Sequence, residues 1–344
     1  MINFKNDYSD IAHPNILKKF VTHQSKSYTG YGLDQETIKV VSHMKSMFTN
    51  DIDIHFLTGG TITNKTVISH ILKPYEAVIS AETGHIFVHE TGAIEHTGHK
   101  IISVATKDGK LTPEMIQSVY QSHVDEHMVK PKLVYISNST ETGLIYSKQE
   151  LMLLYDTSKS LDLWLYLDGA RLGVALNAKT NDLTLDEISK YTDLFYIGGT
   201  KNGALFGEAL IIKNNTLKPF FRYSIKQNGG LLAKGFLTAL QFDALFEDNL
   251  FNEIAISANE SSRYLIEGLH SLGLELHSTP TNQQFATLPN EWIKALENKY
   301  LFEVWTMGDK KSTIRLVTTY QTTKADIDSL IRDISLLMNK EGLA

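Results

Sequence analysis

Leu165-Tyr166-Leu167-Asp168-Gly169-Ala170-Arg171 and Phe195-Tyr196-Ile197-Gly198-Gly199-Thr200-Lys201 are the two stretches that decide how this chain folds. Each is an unbroken aliphatic and aromatic run that stops at glycine and a charged group. A strand buried on both faces has no solvent side for polar residues, so the pattern predicts parallel strands within an α/β sheet. In such sheets the carboxyl ends of the strands open onto the ligand site. An acid, Asp168, and an amine, Lys201, are therefore expected there together.

Working outward from these runs, strands are predicted over 53–57, 77–80, 100–105, 133–137, 164–168, 194–198 and 208–212, with helices between them. After an irregular start to about residue 33, a helix is expected over 35–48. Another follows Thr58-Gly59-Gly60-Thr61 and carries Val67, Ile68 and Ile71 on its apolar side. Thr112 before Pro113 marks a helix start, the threonine capping and the proline fixing the first-turn dihedral. The alternation predicts a mainly parallel sheet covered on both faces. From 230 to about 272 the pattern reads as one long helical region bridging two units. Beyond it come strands over 274–277, 284–288, 301–305 and 313–318, and a helix around Trp292. The final helix has Ile327, Leu330, Ile331, Ile334 and Leu337 on one face, and Thr323 and Asp326 spaced as a capping box. This divides the chain into an N-terminal segment 1–33, a large domain 34–245 and a small C-terminal α/β domain 246–344.

Composition narrows the class. At 344 residues, 42% hydrophobic and 21% charged, the chain is long enough for one large core with a smaller domain attached. A net charge of −6 without a Lys/Arg cluster argues against a nucleic-acid partner. The absence of cysteine removes disulfides, thiolate nucleophiles and cysteine-ligated metals together, and no metal site is expected. No stretch has the length of a membrane span or signal peptide, so no membrane partner is expected and the cytoplasm is the expected compartment.

The pairing of Asp168 with Lys201 has a specific chemical meaning. Pyridoxal phosphate needs a lysine for a Schiff base and an aspartate that keeps its ring nitrogen protonated, so that the ring becomes an electron sink. Thr58-Gly59-Gly60-Thr61, at a strand-to-helix turn, offers free backbone N–H groups and the positive end of a helix for a phosphate. Taken singly, each feature has an ordinary reading. A Gly-Gly turn is usually only a turn. Asp168 beside Arg171 could cap a helix or form an ion pair, and Lys201 could be a surface lysine. Their order along the chain is what joins them.

Tyr31 to Asp34 (Tyr-Gly-x-Asp), Gly59 to Thr61, Glu82 to His85 (Glu-Thr-Gly-His), Asp168 to Arg171, Gly198 to Lys201 and Ile314 to Thr318 follow one another as in the low-specificity threonine aldolases, which this chain resembles over nearly its whole length. Asn6 to Pro14 and Lys226 to Gly235 resemble a bacterial branch of that group. The resemblance implies the β-eliminating lyase group and the aspartate aminotransferase fold: a pyridoxal-phosphate-dependent transferase of fold type I, α/β, with a mainly parallel seven-stranded large domain. It implies a carbon–carbon lyase that cleaves threonine or allo-threonine to glycine and an aldehyde.

By motif, Lys201 would form the Schiff base, Asp168 pair with the pyridinium, and Gly60 and Thr61 hold the phosphate, with Lys226 reaching it from a neighbouring subunit. His85 would stack on the ring, whereas without the motif one of 13 histidines reads as structural. Arg171 and Arg315 would bind the substrate carboxylate through their planar forks; Asn6 and Tyr31 are further substrate-binding candidates. A homodimer or homotetramer with sites at the subunit interface is implied. Two departures stand out. Where many members carry a histidine in an Asn-Thr-His stretch after a strand, this chain reads Val134-Tyr135-Ile136-Ser137-Asn138-Ser139-Thr140-Glu141 with no histidine, leaving His85 or an ordered water to take the β-hydroxyl proton. The usual Ser-Asp-Thr is Asn6-Asp7-Tyr8. The neighbouring alternatives are another pyridoxal-phosphate lyase, a racemase, an aminotransferase, or a non-catalytic binding protein of this fold.

Overall fold

The computed structural model describes residues 1–341. After a two-residue strand β1 (Ile2–Asn3), the buried runs become β2 (Asp53–Leu57), β3 (Glu76–Ala81), β4 (Ile101–Val104), β5 (Lys130–Ser137), β6 (Trp164–Asp168), β7 (Leu194–Gly198) and β8 (Glu208–Ile212). They form one sheet in the order β2-β8-β7-β6-β5-β3-β4. Pairing is parallel from β7 through β4, and β8 alone runs against its two neighbours, β2 and β7. The carboxyl ends of β2, β3, β5, β6 and β7 therefore share one edge, and the antiparallel β8 brings its first residue, Glu208, to that same edge.

Every residue of β3, β7 and β8 is buried, which accounts for the missing polar alternation. On one face Phe195, Ile197, Leu165 and Val134 pack with Met44, Leu151 and Phe242 from the covering helices. On the other, Tyr135, Tyr166, Tyr196 and Leu210 pack with Val67, Ile68 and Phe221. Between β6 and β7 the backbones crowd: a Cβ on Gly169 would lie 1.9 Å from the Tyr196 carbonyl oxygen, and one on Gly198 2.3 Å from that of Ala170.

A second, antiparallel sheet is built from β9 (Glu275–His277), β10 (Gln283–Pro289), β12 (Glu303–Thr306) and β13 (Lys311–Val317), ordered β12-β13-β10-β9. The helices Leu250–Ser271 and Lys324–Glu341 cover it through Leu265, Leu269, Ile327, Leu330 and Ile334. The chain's start is sewn to this sheet. β1 pairs with β11 (Tyr300–Leu301), Phe4 is fully buried in that core, and the Val317 amide donates to the Phe4 carbonyl at 2.8 Å.

Four local expectations need correction. The first 33 residues are not irregular: Pro14–His23 is a helix, with Pro14 in its first turn and the Asn15 amide donating to His13 Nδ1. The helix beginning at Gln35 ends at Lys45. The region 230–272 is two helices, Phe236–Phe246 and Leu250–Ser271, because Asp248 (φ 50°) and Asn249 (φ 64°) adopt left-handed backbone that a right-handed helix cannot continue through. The strand over 301–305 divides at Phe302, since Leu301 pairs with Asn3 while Glu303 pairs with Arg315. No helix among the described residues is long and apolar enough to cross a membrane.

The crowding between β6 and β7 sets a stability test. Gly169→Ala is expected to destabilise the chain by about 3 kcal/mol in urea unfolding, the upper range for overpacking. Gly59→Ala, whose Cβ would have nothing within 4 Å, should stay within about 0.5 kcal/mol of the parent.

Candidate active site

Along the shared edge lies a cavity of about 270 Å³ bordered by Gly59, Gly60, Thr61, His85, Asp168, Arg171 and Lys201, together with Tyr8, Ser139, Glu141, Tyr196 and Glu208. Six of the ten residues named from sequence thus meet at one place. Its floor is Asp168, the last residue of β6 and 3% exposed. The Tyr196 hydroxyl (2.5 Å) and Ala170 amide (3.0 Å) donate to Oδ1, and the Tyr135 hydroxyl (2.6 Å) and Asn64 amide (3.1 Å) to Oδ2. Asp168 is neither a helix cap nor the partner of Arg171. Burial, with Asp168 next, pushes all three surrounding phenols, Tyr135, Tyr166 and Tyr196, up in pKa, so they remain donors.

Lys201 stands on the turn after β7. No described group hydrogen-bonds its Nζ, which lies 5.7 Å from the centroid of the Tyr8 ring. Burial, reinforced by the charge of Arg171, lowers its pKa against the opposing pull of Asp7, Asp168 and Glu208, which favours the neutral, nucleophilic amine. The helix Gly60–Ile71 opens beside it. Its N-cap, Gly59, supplies no side-chain hydrogen bond, and a Cβ there would project into open space. The first-turn amides are thus available to an anion.

His85 begins the short helix His85–Val88. Its Nδ1 is 2.8 Å from Glu90 Oε1, an oxygen that also accepts from Asn64 Nδ2 at 2.8 Å. Asn64 therefore links Glu90 to Asp168, and its own Oδ1 accepts the Tyr166 hydroxyl at 2.7 Å. Glu141 anchors the other side of the turn, its Oε1 accepting from the His85 amide (3.0 Å) and the Ser137 hydroxyl (2.8 Å). Burial raises the Glu141 pKa, and nearby Asp168 adds to this.

Two guanidiniums belong to different units, and of them Arg171 borders the cavity while Arg315 lies outside its lining. Arg171 donates Nε (2.8 Å) and Nη2 (3.0 Å) to Asp7, and Asn282 also donates to that carboxylate (3.0 Å). Burial opposes ionisation of Asp7, but Arg171 and then Lys201 outweigh it and hold its pKa below the usual value. Arg315, on β13, pairs with Glu303 and bonds Gln283 at 3.3 Å, while its buried Nε has no partner. Burial and then the charge of Arg171 lower its pKa.

The remaining candidates lie apart. Asn6 spends its side-chain oxygen on the Tyr8 amide and the Ser9 hydroxyl. Tyr31 borders a second cavity, joined to the first only through Thr58, and Lys226 Nζ lies 4.7 Å from the centroid of its ring. Conversely, the sequence reading passed over Asp7, Asn64, Glu90, Glu141 and Glu208. For Asn64 and Asp7 the partners are distant along the chain, 104 residues to Asp168 and 164 to Arg171, whereas Glu90 and Glu208 meet near neighbours, His85 and Thr200, across turns whose course the sequence pattern does not show. The one local signal was Glu208 itself, a lone acid opening an otherwise apolar strand.

Comparison with known proteins fits this geometry. A model of the beta-eliminating lyase family matches residues 24–313. A low specificity L-threonine aldolase of Pseudomonas sp. is 32% identical over 316 residues, 90% of each chain. The solved structure of Leishmania major threonine aldolase superposes with a TM-score of 0.96 at 43% identity, covering 98% of this chain and 99% of that one. Thermus thermophilus aspartate aminotransferase superposes at 0.73 with 14% identity, over 97% and 91%, and shares the fold. The chain belongs to the beta-eliminating lyase family and has the aspartate aminotransferase fold; its cofactor is pyridoxal phosphate.

The residues suit that group: open helix amides at Gly59 to Thr61 for the phosphate, Asp168 for the ring nitrogen, and an amine without a partner at Lys201 for the aldehyde. Borohydride reduction of the cofactor-loaded protein should therefore leave a label that peptide mapping finds on Lys201. Lys201→Ala should lose the visible absorbance of the bound cofactor with its circular dichroism unchanged. Label on Lys226 would reassign the amine.

Proposed function

We propose that this member of the beta-eliminating lyase family cleaves β-hydroxy-α-amino acids, threonine and allo-threonine among them, to glycine and an aldehyde. The observation that carries the reading is a single cavity holding an unpartnered lysine, a four-fold hydrogen-bonded aspartate, an uncapped helix start and a histidine set by a buried glutamate. The threonine aldolase names of the Pseudomonas and Leishmania relatives support the choice of reaction. Pyridoxal phosphate, when bound, supplies the electron sink for the pair released from the Cα–Cβ bond.

The protein's own groups do the rest. Arg171, fixed by Asp7 through Nε and Nη2, keeps Nη1 for the substrate carboxylate, and the unpartnered Nε of Arg315 approaches from the second sheet. Fixing the carboxylate would orient the bonds at Cα and so decide which of them breaks. Glu90, accepting from Nδ1, leaves His85 Nε2 as the basic nitrogen, which takes the β-hydroxyl proton. Glu141 holds the backbone of that histidine in place.

The working unit in this proposal is a symmetric dimer or a dimer of dimers. Phe220 and Tyr223, each 76% exposed, stand near the Tyr31 and Lys226 pair on one surface, and burying them against a second copy would bring Lys226 to a neighbouring site. Sedimentation at assay concentration should give a dimer or tetramer; a fully active monomer would remove this part.

Glycine release from the four threonine stereoisomers tests the chemistry. The parent should cleave at least one β-hydroxy isomer. His85→Asn should lower kcat/KM by about a hundredfold or more, within the range for losing a general base, with cofactor still bound. If no isomer releases glycine while the cofactor's spectrum responds to added amino acid, a different pyridoxal-phosphate reaction is in force.

A further inference from the structure

Glu208 is an acid in a place built for an anion. Its Cα partners are Leu57 on β2, the residue before Thr58-Gly59-Gly60, and Gly198 on β7, the residue before Gly199-Thr200-Lys201. It therefore lies between the helix start that would take the cofactor phosphate and the turn that presents the amine, and borders the same cavity as Gly60 and Thr61. The carboxyl is 3% exposed; Oε2 accepts from the Gly199 amide (3.1 Å) and Oε1 from the Thr200 hydroxyl (2.9 Å). The cavity wall carries two cations, Arg171 and Lys201, of which the first is committed to Asp7 and the second is the amine. A dianionic phosphate at the helix start would thus meet a further negative charge with no uncommitted cation on this chain's own cavity wall, and the lysine that a second copy would bring, Lys226, balances only part of the combined charge.

We propose that Glu208 is a phosphate-binding residue that acts as a neutral carboxylic acid, donating its proton to a phosphate oxygen of the cofactor. The inference rests on pyridoxal phosphate being the cofactor, not on which reaction follows. When the free acid is ionised, binding takes up one proton from solvent onto Glu208, and no other bond changes. The environment favours the neutral form. Burial pushes the Glu208 pKa up to about 8, Asp168 adds to this, and the hydrogen bonds from Thr200 and Gly199 and the charge of Lys201 oppose it. The helix start contributes no charged side chain, since Gly60, Thr61, Ile62 and Thr63 are uncharged; from β7 the facing titratable group is the Tyr196 phenol.

The sign follows. Below about pH 8 the acid already holds its proton and affinity is full; above it, each binding event must recover a proton, and affinity falls by up to tenfold per pH unit. The probe is pyridoxine 5′-phosphate, which lacks the aldehyde and cannot condense with Lys201, titrated by fluorescence between pH 7.5 and 9.5. The parent's dissociation constant is expected to rise by about tenfold or more. Glu208→Gln, whose amide donates at every pH, should bind within about threefold of the parent at pH 7.5 and change much less across the range. Lys201 titrates in both proteins, so the difference between the two curves belongs to Glu208. Parallel curves, or a folded Gln variant that fails to bind at pH 7.5, would overturn the proposal. Should the variant not fold, calorimetric titration of the parent at pH 8.5 in two buffers of different ionisation enthalpy decides: uptake approaching one proton supports it, and none overturns it. These outcomes are independent of glycine release, so failure here and failure of the proposed reaction are separable.

Discussion

Removing a carboxylate from water costs several kcal/mol unless its lone pairs are met by donors and its charge by a partner. Asp168 is buried at the end of β6, and the structure around it is largely the set of groups that meet this demand. Tyr135 comes from β5, Tyr196 from β7, Asn64 from the helix Gly60–Ile71 and the Ala170 amide from the turn that follows. The two phenol donors are set by the parallel pairing of β5, β6 and β7, so a register slip in any of these strands would break the ring of donors as well as the core. The donors approach both carboxylate oxygens and leave the carboxylate at the cavity floor, where a cationic ring nitrogen would complete the charge balance in the proposed reading.

From that carboxylate the constraint passes outward. Asn64 gives one amide group to both Asp168 and Glu90, and Glu90 fixes His85. Imidazole orientation is therefore tied through two buried side chains to Asp168, rather than left to an exposed turn. Glu90 Oε2 has no partner although it is buried. An unpaired carboxylate oxygen in that position makes the His85 interaction more valuable to the fold, which holds the ring where it stands.

Much of this was legible in the chain because buried strands write themselves as apolar runs with sharp ends. The runs over 53–57, 164–168, 194–198 and 208–212 coincide with β2, β6, β7 and β8. What escaped has two causes. The break between Phe246 and Leu250 depends on two left-handed residues, Asp248 and Asn249, in a region whose apolar spacing reads through the reversal. The helix Pro14–His23 is short and was hidden among polar residues despite its proline start. Within the site, Asp168, Lys201 and Gly60 were legible because each sits at the end of a patterned element. Asn64, Glu90 and Glu141 lie in helices and turns where a polar side chain is unremarkable until the fold aims it at a partner.

In the proposed reading Arg171 and Arg315 would let the two units share one task. They come from different sheets and repel each other, since the charge of Arg171 is one of the causes lowering the Arg315 pKa. Asp7 meets Arg171 and Glu303 meets Arg315, so each guanidinium is held by its own acid while an Nη1 on one and the buried Nε on the other stay without a full partner. A substrate carboxylate placed between them, as proposed, would add charge-assisted hydrogen bonds and also remove part of the repulsion, an increment a neutral side chain could not supply. Because Asp7 lies in the segment that β1 and Phe4 sew to the second sheet, the docking of the two units and the readiness of Arg171 are one constraint. The geometry of the anion site is thus set by folding before any ligand arrives, which is the condition under which binding energy can orient the reacting bond instead of ordering the protein.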